Sequence, residues 1–96
     1  MRKYETLLIA RPDLEEDQLK ALIDELLDLI GRKGGKVLNV DVWGLRRLEY
    51  PIEHQERGQY AVVDFEAESE VTKELERVAG LKDEILRIKT LVKESK

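Results

Sequence analysis

Leu19, Leu22, Ile23, Leu26, Leu27 and Ile30 recur at three- and four-residue steps, and Asp17, Lys20, Asp24, Glu25 and Asp28 fill the opposite side. This pattern predicts an amphipathic helix with one apolar stripe. Such a stripe needs a flat apolar partner, and strand-like segments lie on both sides of it in the chain. Tyr4 to Ala10 puts Tyr4, Thr6, Leu8 and Ala10 on one side and Lys3, Glu5, Leu7 and Ile9 on the other. Apolar residues on both sides predict an interior strand. Arg11-Pro12-Asp13 ends it, and Asp13 or a near neighbour is expected to cap the helix. Gly31, Gly34 and Gly35 close the helix.

Lys36 to Tyr50 reads as a long strand in which Gly44 predicts a bulge or bend and Pro51 the end of regular pairing. Ile52 to Arg57 reads as a polar connection. Gln59 to Phe65 is the next strand, with an irregularity expected where its alternation slips between Val62 and Phe65. Ser69 is placed to cap a second helix that buries Val71, Leu75 and Val78 and ends near Gly80. Ile85 to Val92 is the last strand, and Lys93 to Lys96 are expected to fray. The order strand, helix, strand, strand, helix, strand predicts a ferredoxin-like α+β sandwich: one domain over 1–96, a four-stranded antiparallel sheet, and both helices on one face.

Charge is distributed unevenly along this order. The net charge is −4, which taken alone argues against a polyanionic partner. Between Asp13 and Ile30, however, seven acids face one base, and between Glu68 and Glu84 six acids face three bases. The two helical segments therefore carry more than the whole negative charge, and the strands and loops are basic. Local field rather than net charge decides where a polyanion docks.

Trp43-Gly44-Leu45-Arg46-Arg47-Leu48-Glu49-Tyr50-Pro51-Ile52 places two adjacent arginines in a strand. Neighbours on a strand point to opposite faces, so one arginine is expected toward the helix side or its rim and the other toward the bare surface. Planar guanidinium groups suit phosphate or carboxylate recognition. Trp43 and Tyr50 flank the pair, either as core residues or, for Trp43, as an anchor for a partner. The sheet face without helices carries Lys3, Glu5 and Leu7 from the first strand and Arg87, Lys89 and Leu91 from the last. A solvated outer face and a docking surface both fit that mixture.

Several chemistries are excluded by what the chain lacks. With no cysteine there is no disulfide framework or thiolate site. His54, the only histidine, sits in a polar loop without the further ligands that a metal centre needs. Ser69 and Ser95 stand in no nucleophile motif, and Gly34-Gly35 lacks the residues of a phosphate-cradling loop. No apolar run approaches a membrane span. No cofactor, metal, membrane or small-molecule substrate is expected, and no enzyme activity. The aromatic signature of the RNA-binding module that shares this architecture is also missing, so sequence reading by base stacking is not expected, whereas phosphate contact remains open.

The opening Met1-Arg2-Lys3-Tyr4-Glu5 and the segment Gly44 to Leu48 with Tyr50-Pro51-Ile52 resemble the bacterial small-subunit ribosomal protein six family. The Pro12-Asp13 break, Gly58 followed by Tyr60, and the basic last strand are similar as well, so the resemblance spans essentially the whole chain. It implies the ferredoxin-like fold, a cytoplasmic place in the ribosome, and a structural role in the small subunit. It further implies binding to the central domain of small-subunit ribosomal RNA together with ribosomal protein eighteen. Many members carry a C-terminal extension that this chain essentially lacks after Lys93. Arg2, Tyr4, Arg46, Arg47, Tyr50 and Pro51 match the family pattern. With Arg87 and Lys89 from the basic last strand, the expected RNA contacts are Arg2, Tyr4, Arg46, Arg47, Tyr50, Arg87 and Lys89, and the expected contacts to the protein partner are Trp43 and Leu48. The competing reading is a regulatory or protein-interaction domain that uses its open sheet face.

Overall fold

The apolar stripe of the first helix finds its partner in a four-stranded sheet. The computed structural model describes residues 1–93 and gives the elements β1 (Arg2–Ala10), α1 (Glu16–Arg32), β2 (Lys36–Ile52), β3 (Gln55–Ala67), α2 (Ser69–Gly80) and β4 (Ile85–Val92). The strands are antiparallel in the order β2-β3-β1-β4, which puts β1 in the interior as its two-sided apolar pattern requires. Leu19, Leu22, Ile23, Leu26 and Ile30 of α1 and Val71 and Leu75 of α2 share one core with Tyr4, Leu8, Ala10, Ala61, Val63 and Phe65. Both helices therefore cover the same sheet face, and the fold is the ferredoxin-like sandwich. Tyr4 and Phe65 face each other across β1 and β3 with ring centroids 5.6 Å apart. Thr6, the buried polar residue of this layer, shares a 2.8 Å hydrogen bond with the Thr90 hydroxyl.

Helix ends are satisfied locally. The cap of α1 is Glu15, whose N–H donates to Gln18 Oε1 at 2.8 Å, while Asp13 instead accepts from Arg11 at 2.8 Å. At its other end Gly35 N–H donates to the Ile30 carbonyl and Gly34 N–H to Gly31, the paired bonds of a Schellman closure. The cap of α2 is Glu68, one residue before the expected Ser69. The expected fraying fails at Lys93, whose N–H donates to the Lys3 carbonyl at 2.8 Å. Residues 94–96 lie outside the described residues.

β2 departs most from a regular strand. Val42 faces Ala61 and Gly44 faces Tyr60, so Trp43 is an extra residue, and Gly44 at φ +87 supplies the left-handed backbone that this bulge uses. A second irregularity stands between Val37 and Asn39. β2 is an edge strand, and its bulges together with Asp41, Arg46 and Arg47 interrupt the row of unpaired backbone groups that would otherwise template another strand.

Two expectations about the β2–β3 hairpin are corrected. The segment from Ile52 to Arg57 is a tight turn: Ile52 pairs with Gln55, and Glu53 and His54 take φ of +49 and +67, the signs of a type I′ turn. β3 pairs with β1 without a register break from Gln59 to Ala67, so the irregularity expected between Val62 and Phe65 is not in β3; the register shift opposite Asp64 and Phe65 is carried by β2, between Val37 and Asn39. The alternation of β3 looked broken because both of its faces are covered. Val62, Ile9 and Leu48 are buried on the side away from the helices, where the far half of the hairpin bends over the sheet. Gly58 lies beneath this contact: a Cβ there would stand 2.5 Å from Ile9 Cγ2 and 3.5 Å from Leu48 Cδ2.

Gly58→Ala is expected to destabilise the fold by about 1–3 kcal/mol, because the new Cβ would press on a methyl borne directly by the Ile9 Cβ and on the Ala10 carbonyl; the urea midpoint reads this. The turn has the opposite potential. Left-handed backbone costs an ordinary residue about 1–2 kcal/mol, and asparagine–glycine is the favoured pair there. Glu53→Asn with His54→Gly is expected to raise stability by roughly 1 kcal/mol, and an unchanged melting temperature would contradict it.

Candidate functional site

The bulge at Trp43 decides which arginine faces where. Without the extra residue the odd-numbered positions beyond it would lie on the open face; with it, Arg46 pairs with Gly58 and Arg47 with Arg57. Gly58 and Tyr60 share the open face with Ile9, so Arg46 lies there, and Arg47 with Arg57 lies on the helix side of the protruding hairpin. The two arginines stand back to back across one edge of the molecule.

One row of residues crosses all four strands on the open face: Gly44, Tyr60, Ile9 and Arg87. At about 4.8 Å between strands the row is about 14 Å wide. Tyr60 is its pivot. On one side it borders a shallow depression with Asp41, Trp43, Arg46 and Arg47. On the other it borders a depression of about 260 Å³ lined by Leu7, Ile9, Leu48, Glu49, Tyr50, Arg87 and Lys89. Trp43 and Tyr60 are parallel to within 3° at a centroid distance of 6.0 Å, an offset stack, and the indole N–H donates to Asp41 at 3.0 Å.

The structure thus gathers Trp43, Arg46, Arg47, Tyr50, Arg87 and Lys89 into one surface. Three expected residues do not belong to it. Tyr4 points into the helix-side core and is 5% exposed, because its position in β1 alternates with the open-face residues. Leu48 is 7% exposed and seats the hairpin, so it is not available as a contact to a partner. Arg2 pairs with Ala67, at the far end of β1 and β3 from Gly58. That is nine residues of strand, about 30 Å.

Two residues join the surface that sequence reasoning left out of it. Tyr60 looked like an ordinary strand aromatic until pairing placed it opposite Gly44. Arg57 lay in a supposed loop, yet it sits directly opposite Arg47 in the hairpin. Like charges at directly opposed positions destabilise a sheet, and this pair has no structural compensation. Among the described residues, neither Arg47 nor Arg57 has a carboxylate partner, nor do Arg46, Arg87 and Lys89.

Elsewhere most arginines and several lysines are engaged, although Lys3, Lys33, Lys36 and Lys73 have no carboxylate partner among the described residues. Arg11 meets Asp13 at 2.8 Å, Arg32 meets Asp28 at 2.9 Å, and Lys82 meets Glu25 at 2.7 Å. Arg77 donates to both Glu74 carboxylate oxygens, which holds that carboxyl below its usual range. At the other end of the open face Lys93 reaches Asp64 at 3.4 Å and Lys3 stands opposite Glu66. Five arginines and lysines without a carboxylate partner thus gather at the hairpin end beside exposed aromatic rings, in a hairpin that also carries Glu49, Glu53 and Glu56. Such a surface can bind phosphates. Among the described residues no cluster of metal-ligating side chains occurs, and no helix is long and apolar enough to cross a membrane.

Comparison with known proteins gives a consistent result. The family model for ribosomal protein S6 matches residues 3–92. The small ribosomal subunit protein bS6 of Corynebacterium aurimucosum is 48% identical over 96 residues, covering 100% of both chains. That of Streptomyces coelicolor is 46% identical over 91 residues and covers 95% of each. The crystal structure of 30S ribosomal protein S6 from Thermotoga maritima is similar with a TM-score of 0.90 at 28% identity, covering 96% of this chain and 87% of that one.

The opposed arginines generate a prediction with two signs. Arg57→Glu is expected to stabilise the free protein by about 0.2–1 kcal/mol, by turning a repulsive cross-strand pair into an attractive one. The same change is expected to weaken binding to any polyanion. A lower urea midpoint, or unchanged polyanion binding, would show that Arg47 and Arg57 do not act together.

Proposed function

The chain belongs to the ribosomal protein S6 family and is a non-enzymatic structural component of the small ribosomal subunit, and from that premise we propose that its hairpin-end surface holds the central domain of small-subunit ribosomal RNA together with ribosomal protein eighteen. The observation that carries this reading is the set of unengaged cations around Tyr60: Arg46, Arg47, Arg57, Arg87 and Lys89. They project from three strands and cover both sides of the hairpin. A folded RNA junction presents phosphates at several angles, and a back-to-back arginine pair can reach two strands of such a junction at once. The guanidinium groups bind phosphate through paired hydrogen bonds, and each neutralised phosphate releases condensed counterions. Tyr50, 61% exposed beside Arg87 and Lys89, adds a hydroxyl donor and a ring to the same contact.

Arg2, at the opposite end of β1, would reach a separate part of the RNA rather than this surface. The acidic helices cover the sheet face opposite Arg46, Arg87 and Lys89, so an acidic protein can dock on RNA in one orientation. Ribosomal protein eighteen would contribute basic charge that this chain lacks. Family membership places the protein in the cytoplasm with the ribosome and displaces the reading as a regulatory domain, which rested on fold alone.

RNA of the central-domain junction, titrated with and without ribosomal protein eighteen across a salt series, tests this. Binding is expected to be cooperative with the partner and to weaken steeply with salt. Arg46→Ala/Arg47→Ala is expected to keep the fold, to lose about tenfold in affinity for each arginine, and to flatten the salt slope by about one for each. Tight binding of RNA by the isolated chain at physiological salt would remove the role of the partner. Unchanged binding by the double variant would remove the role of the arginines.

A further inference from the structure

Trp43 is the one side chain at this surface whose placement phosphate binding does not explain. It is 45% exposed, although a bulky apolar ring on a small domain is normally covered. It is also held in place from two directions. Tyr60 stacks on it with planes 3° apart, and Asp41 accepts its indole N–H at 3.0 Å, which fixes the ring rotation. A ring that is merely left over at a strand edge would have no such restraint. Arg46 and Arg47 line the same depression as the ring.

We infer that the Trp43–Tyr60 stack is a platform for an unpaired nucleobase, with Arg46 taking the phosphate that flanks it. The inference rests on the reading of this surface as an RNA contact and adds the class of nucleotide it takes. Aromatic faces accept any base, so the platform confers a preference for single-stranded or bulged residues and not for a particular sequence. This is consistent with the absence of the aromatic signature of sequence-reading modules. Charge complementarity selects a nucleotide over an apolar protein side chain: the ring is bordered by two unengaged arginines, and the nearest carboxylate, Asp41, already accepts the indole N–H.

Trp43 is the only tryptophan, so its emission reports on this site alone. The protein is titrated at low ionic strength with a labelled single-stranded oligoadenylate and with an abasic oligomer of the same length, while anisotropy follows binding independently. Saturable quenching by the oligoadenylate, absent with the abasic backbone, is expected. Trp43→Leu is expected to lose about 5- to 150-fold in affinity, the contribution of one stacked base, and Trp43→Phe to recover part of it. Anisotropy showing bound oligoadenylate with unmoved emission, or equal affinity for Trp43→Leu, overturns the platform and leaves the phosphate contact standing. Emission that responds to ribosomal protein eighteen but not to RNA overturns it in favour of a protein contact. No binding of either oligomer, while the junction RNA still binds together with ribosomal protein eighteen, overturns the platform alone, and loss of binding in both experiments overturns the RNA reading as well.

Discussion

The close contact of Ile9 and Leu48 over Gly58 is the constraint on which the functional surface depends. β1 and β2 are not neighbours in the sheet, because β3 runs between them. Only a residue without a side chain at the crossing point lets Leu48 reach Ile9, and a Cβ at Gly58 would sit 2.5 Å from the Ile9 methyl. Burying a leucine side chain stabilises by about 1.5–3 kcal/mol, enough to hold a two-stranded hairpin that would be marginal by itself. The bent hairpin carries Tyr50 toward Arg87 and Lys89, which belong to the opposite edge strand. Without that contact the cations of β2 and β4 would stand on separate edges.

The second requirement is the bulge at Trp43. A strand alternates strictly, so an inserted residue reverses the facing of everything beyond it. Here the reversal turns Leu48 inward onto Ile9, sends Arg46 to the open face and leaves Arg47 opposite Arg57. Packing and charge placement thus follow from one backbone irregularity. The protein tolerates a repulsive arginine pair and a turn of two ordinary residues in left-handed backbone, both in the same hairpin. Costs of this kind gathered at one place are what a site shaped for a ligand shows, since stability and function compete for the same residues.

The sequence carried much of this directly. The helical period from Leu19 to Ile30, the order of the elements, the bulge at Gly44 and the opposite facing of the two arginines were all local signals, and local signals survive folding when packing agrees with them. What was not legible depended on pairing. Tyr4 and Arg2 matched a family pattern, but whether a residue is buried or 30 Å from its supposed neighbours is a property of register. Glu53-His54 hid a turn because neither residue is the glycine or asparagine that usually marks one. That hidden turn put Arg57 into a loop on paper, although the hairpin sets it against Arg47. Leu48 looked like an exposed anchor because the contact that buries it comes from a strand nearly forty residues earlier in the sequence.

Charge separation accounts for the orientation of the whole molecule. The carboxylates of the helices lie on the far side of the core from the open face, and Asp24, Glu25, Asp28 and Glu74 each sit beside a lysine or arginine. Screening at physiological salt acts over about 8 Å, while the principal extents are 36 × 28 × 21 Å. An RNA at the hairpin end therefore responds mainly to the nearby cations and little to the net charge of −4. On the proposed reading, a basic partner docked beside the same end would add its positive charge within the same screening distance. Cooperation of the proposed kind would then need only electrostatics, since each cation added near the surface raises the local potential for the same phosphates. Neither ligand has to change the shape of this domain for the other to bind.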